Sequence, residues 1–120
     1  MKAIAVVLAA LLAAPAAAQV PPPPSQLTLE HRMLLRCSAA FALIAYRQET
    51  ADADAAQYPP LKERGSEYFV RASARVMEEA GLDRTAVTAA LQEEARTLLQ
   101  GGTLTAVMPV CLSALEAAGL

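Results

Sequence analysis

The sequence predicts an all-α fold: a small four-helix, antiparallel bundle-like domain with one disulfide linking the first and last helices. Three observations lead to it. From residue 28 onward apolar residues recur at spacings of three and four, with no alternating strand pattern. Pro59-Pro60, Gly81 and Gly101-Gly102 cut that pattern into four segments joined by short links, which favours antiparallel neighbours. The chain has two cysteines, and Cys37 and Cys111 fall in the first and last segments.

Residues 1–18 read as a secretory signal peptide. Lys2 supplies the positive n-region, and Ala3 to Ala14 form an apolar h-region. Ala16 and Ala18 make a small-x-small cleavage site, with the cut expected between Ala18 and Gln19. The apolar run is short and Ala-rich against the roughly 20 residues a membrane span needs. No membrane span is therefore expected after cleavage. No cysteine opens the mature chain, and no twin-Arg pair precedes the h-region. Residues 19–27 follow as a Pro-rich spacer, whose four consecutive prolines favour an extended polyproline II rod. Residues 28–120 are the helical domain.

The first helix is expected from about Leu29 to Glu49, capped by Thr28. Met33, Cys37, Phe41 and Ile44 make its inward stripe. Thr50 to Tyr58 reads as a loop. The second helix is expected from about Pro60 to Ala80, with proline in its first turn. Its apolar face is Leu61, Gly65, Tyr68, Phe69, Ala72 and Val76; Glu63, Glu67, Arg71 and Arg75 line the solvated side. A glycine inside a helix costs roughly 1 kcal/mol against Ala. Gly65 on the inward stripe therefore predicts a close approach of a neighbouring backbone. Gly81 and Leu82 form a Schellman-type stop, and Asp83 caps a third helix from about Arg84 to Gln100. The fourth helix is expected from about Thr103 to Ala118, with Leu104, Val107, Cys111 and Leu115 inward. Pro109 should kink it or mark its start.

Export places the two cysteines in an oxidising compartment, where an even count reads as a disulfide, Cys37–Cys111. Both lie near the middle of apolar stripes, where a thiolate is disfavoured, so the bond reads as structural rather than redox-active.

Composition narrows the function classes. The net charge is −2, or about −3 once Lys2 is removed with the signal, and no basic stripe exists, which argues against nucleic acid. The chain contains no Asn, which excludes N-glycosylation. His31 is the single histidine and reads as a surface helix residue; one imidazole does not build a metal site. Asp52, Asp54 and Glu63 sit at three positions of a calcium loop, but Gln57 occupies the glycine position and Pro60 the ninth. Glu78-Glu79 and Glu93-Glu94 are adjacent on helices and diverge by about 100°. No catalytic residues, metal ligands or cofactor are therefore expected.

The layout resembles small periplasmic helical proteins with one disulfide between early and late helices, a plan shared by acid-stress chaperones of the HdeA type. The resemblance lies in the signal peptide, Cys37 in the first helix and Cys111 in a later one. It implies periplasmic residence and a chaperone that loosens at low pH.

The function expected from these residues is a periplasmic or secreted binding or interaction protein without catalytic activity. Leu35, Leu43, Tyr46 and Tyr58 are its candidate surface patch, and an envelope protein or peptide is its expected partner. The alternatives are the acid- or envelope-stress chaperone, a homodimer that consumes a second apolar face, and an enzyme whose site is assembled from distant residues.

Overall fold

A computed structural model describes residues 27–120. The signal peptide, the Ala18–Gln19 cleavage site and all of the spacer except Leu27 lie outside the described residues. Four helices follow in order: α1 (Leu29–Glu49), α2 (Lys62–Ala80), α3 (Arg84–Leu98) and α4 (Thr103–Ala117). A short 3-10 turn, Ala55–Gln57, lies in the α1–α2 loop, and no strand occurs among the described residues. The all-helical fold and the Cys37–Cys111 bond between first and last helices are as the sequence predicts.

Local chemistry sets the helix ends. Thr28 caps α1 by accepting the His31 N–H at 3.1 Å, and the His31 ring accepts the Thr28 N–H at 3.4 Å, closing a reciprocal capping box. Asp83 caps α3 by accepting the Ala86 N–H at 2.8 Å. Gly81 ends α2 with φ of 67°, a left-handed conformation that suits glycine. The start of α2 differs from expectation, falling at Lys62 rather than Pro60. Its N-terminal residue has no side-chain cap of its own. The cap comes from α1 instead. Gln48 accepts the Leu61 N–H at 3.1 Å and donates to the carbonyls of Ala55, Tyr58 and Pro59, so one amide pins the whole loop. Pro109 sits inside α4, which begins upstream at Thr103, so the proline does not mark the start of that helix.

The helices surround α1. Glu49 at its end pairs with Lys62 at the start of α2 (2.9 Å), while Glu30 in its first turn pairs with Arg75 late in α2 (2.6 Å). The two helices therefore run antiparallel. α3 also packs on α1, whereas α2 and α3 meet each other only sparingly, and α4 packs less extensively on α1 than either. The larger core gathers Phe41, Ile44, Leu61, Tyr68, Leu98, Met108 and Leu115 around the disulfide. A second core joins Leu27 and Leu35 to Val76, Leu82 and Val87.

At Gly65, α2 lies directly against Phe41 of α1. A Cβ built there would stand 2.9 Å from the Cβ of Phe41, an atom that cannot swing away. At an open helical site Gly→Ala gains roughly 1 kcal/mol of helix propensity. Here overpacking reverses the sign, and Gly65→Ala is expected to cost about 1–3 kcal/mol net. Urea unfolding of the two proteins measures this directly. An unchanged or higher midpoint would show that the helices separate freely.

Candidate binding groove

Helix α2 carries two apolar stripes. Gly65, Tyr68, Ala72 and Val76 form the buried one. Phe69, Val70, Ser73, Ala74 and Met77 follow at the same spacings on the adjoining face, without a charge among them. That second stripe faces α3 across an open cleft of about 410 Å³, closed on the other side by Arg84, Val87, Thr88 and Leu91. Phe69 also lines a cleft of about 230 Å³ between α1 and α2, with Ala42, Ala45 and Gly65. Phe69 is the one residue that lines both clefts, and the α2–α3 cleft forms a trough beside it. It stays open because α2 and α3 each spend their inward stripes on α1 rather than on each other.

Phe69 is 42% exposed and Val70 60%, a correction to the expectation that Phe69 faces inward. Phe69 lies at the rim of the buried arc, and α3 does not reach over to cover it. The polar groups of the trough are sparse. The Ser73 hydroxyl is buried without a hydrogen-bond partner. Arg84, at the first position of α3, forms no ion pair among the described residues. Neither cleft is lined by a carboxylate, and the other lining cation, Lys62, is paired with Glu49.

The candidate patch read from the sequence does not assemble. Leu35 is fully buried at 0%, packed in the second core. Leu43 and Tyr58 are partly buried against the larger core. Tyr46 alone stands out, at 66% exposure. The cause is the central place of α1: with partners on three sides, both Leu35 and Cys37 are buried although they diverge around the helix. The second stripe of α2 is legible as Phe69, Val70 and Met77 at spacings of one, seven and eight, but assigning Phe69 to the core hides it.

Cys37 and Cys111 are both essentially buried, with Cα atoms 5.2 Å apart. Their surroundings are the hydrophobic core, as expected for a structural bond. His31 is 7% exposed, a correction to its reading as a surface residue. Its ring is drawn in because one nitrogen serves the α1 cap while the other lies 3.6 Å from Glu79. Among the described residues no cluster of three His, Cys, Asp or Glu side chains is placed to hold a metal ion. Among the same residues no helix is long and apolar enough to cross a membrane.

Ion pairs tie α1 to its neighbours. Arg75 bridges Glu30 and Glu79 at 2.6 and 2.7 Å, and Arg36 reaches Glu94 of α3 at 2.8 Å. The Arg75 hydrogen bond is the main cause holding the Glu79 carboxyl below its ordinary value of 4.5, with the Arg75 charge and His31 adding to it. A carboxyl depressed by folding stabilises the fold above its unfolded value, and that contribution is lost as pH falls through its folded value. Tm is therefore expected to decline below about pH 4.5, and Glu79→Gln to flatten that decline while lowering Tm slightly at pH 7. Melting curves between pH 2.5 and 7 test it; identical slopes in the two proteins would remove Glu79 from the acid response.

No family model, characterised protein or solved structure matches the chain.

Proposed function

We propose that the protein is an exported, non-catalytic binding module of the cell envelope, and that the trough between α2 and α3 is its docking surface. The observation that carries the reading is the exposed Phe69–Val70 end of the second stripe of α2, beside a cleft of about 410 Å³. Water-exposed Phe and Val side chains along a groove are a standing free-energy gain for any partner that covers them, at about 25 cal/mol per Å² of apolar area. The disulfide supports the export reading, since such bonds persist outside the reducing cytoplasm. The signal-like leader supports it independently.

The test places a photocrosslinking amino acid at Val70 in cells producing the full-length protein. The expected result is a discrete adduct at Val70 that Phe69→Glu abolishes, on a mature chain beginning at Gln19 and recovered outside the cytoplasm. A chain that stays cytosolic, or a Val70 site that yields no adduct, would overturn the reading.

A second reading, an acid-loosened chaperone, is favoured by the carboxylates that join α1 to α2 and α3: Glu30, Glu49, Glu79 and Glu94. Protonating them would leave Arg36 and Arg75 without partners at the helix interfaces. The expectation is dye-detectable apolar exposure and suppression of client aggregation near pH 2–3, below the reference carboxylate values. Retained near-UV dichroism without holdase activity at that pH would argue against it.

A further inference from the structure

We infer that the α2–α3 trough receives an amphipathic helix of a partner protein, in contact over about two turns, that sets a carboxylate against Arg84. The inference deepens the binding-module reading and rests on it.

Shape comes first. The second stripe of α2 runs from Phe69 to Met77, roughly 12 Å at the helical rise of 1.5 Å per residue, open at Phe69, Val70 and Ala74 and half-buried at Ser73 and Met77. Its far wall is another helix, α3, so the trough has the form into which a third helix lays an apolar face. Phe69, Val70, Met77 and Leu91 offer the apolar contacts. Along α2, Val70, Ser73, Ala74 and Met77 stand at i, i+3, i+4 and i+7, the repeat of one helix face.

Charge selects the occupant. The two clefts are lined by cations and no carboxylate. Lys62 is committed to Glu49, which leaves Arg84 as the lining cation without an ion pair among the described residues. The adjacent Asp83 is turned back onto the Ala86 N–H of its own helix at 2.8 Å. A carboxylate on the occupant meets a planar guanidinium able to bind it through two N–H groups. A second copy of the chain fits worse. Trough against trough would bring Arg84 from both sides with no carboxylate from either lining to answer it.

The test titrates the disulfide-intact chain 19–120, labelled with ¹⁵N, with a synthetic 14-residue amphipathic helix. Three versions of the peptide carry Glu, Gln or Lys at one position in the terminal turn. The Glu peptide is expected to shift amides of residues 69–77 and 84–91, and to bind at least about five-fold tighter than the Gln version, with Lys weakest. Arg84→Gln should bring the Glu and Gln peptides to equal affinity. Phe69→Glu, a change at an exposed position, should weaken both more than ten-fold with unchanged circular dichroism. Equal binding of all three peptides by the native chain would overturn the carboxylate assignment. Shifts from dodecanoate but none from any peptide would identify an amphiphile site instead. A concentration-dependent mass that Phe69→Glu reduces to one copy would show that a second chain fills the trough. If the peptides fail while the Val70 crosslink persists, the helix assignment falls and the binding-module reading stands.

Discussion

Reduction of the Cys37–Cys111 bond, or Cys37→Ala with Cys111→Ala, is expected to cost about 4.5 kcal/mol or more. The bond spans 74 residues, so it closes most of the domain into one loop. The chain-entropy model assigns about 4.5 kcal/mol to a loop of that length, and loss of two buried sulfur contacts adds to it. Domains of this size hold roughly 5–15 kcal/mol in total. The effect should also be uneven. Of the helices packed on α1, α4 has less non-covalent contact than α2 or α3, and Cys111 is its covalent tether. Amide hydrogens of α4 are therefore expected to lose protection first on reduction, while α2 retains its own. Hydrogen exchange on the oxidised and reduced proteins separates the cases. Uniform loss of protection would mean that α4 is no weaker than the rest, and an unchanged Tm would remove the bond from the stability argument altogether.

Phe41→Ala should be the most damaging single apolar truncation, at about 3–5 kcal/mol, or roughly 15 °C or more in Tm. Phe41 is the largest of the fully buried side chains. Its ring meets Tyr68 edge-on with centroids 5.2 Å apart, and its Cβ lies against Gly65. One residue thus joins the α1–α2 contact to the disulfide core. The clash expected of Gly65→Ala is with the Phe41 Cβ, which alanine keeps. The double variant Phe41→Ala/Gly65→Ala should therefore recover little of the overpacking cost. A double-mutant cycle with a coupling energy near zero agrees with this. Strong rescue would place the conflict on the aromatic ring instead.

Much of the fold was legible because its determinants are local. Thr28, Asp83 and Gly81 act within a turn of their own positions, and they fixed the start of α1, the start of α3 and the end of α2. The start of α2 was misplaced because its cap is Gln48, donated from another helix. Which faces are buried was less legible. A stripe rule assumes one partner per helix, but α1 has three, so Leu35 and His31 are covered where one-sided burial would expose them. The rule fails in the other direction at Phe69, whose neighbour α3 leans on α1 and leaves the ring in water. The candidate groove arises from that failure, which is why the sequence pointed to Leu35 and Leu43 instead.

The sequence by itself determined four helices, their main breaks and the two cysteines that meet, since periodicity, capping and spacing are properties of the chain read in order. Only the tertiary structure decided that α2 and α3 share α1 as a floor and stand apart above it. That depends on which ridges fill which grooves, a matter of side-chain shape between segments distant in the chain. The open trough beside Arg84 is the consequence of that packing.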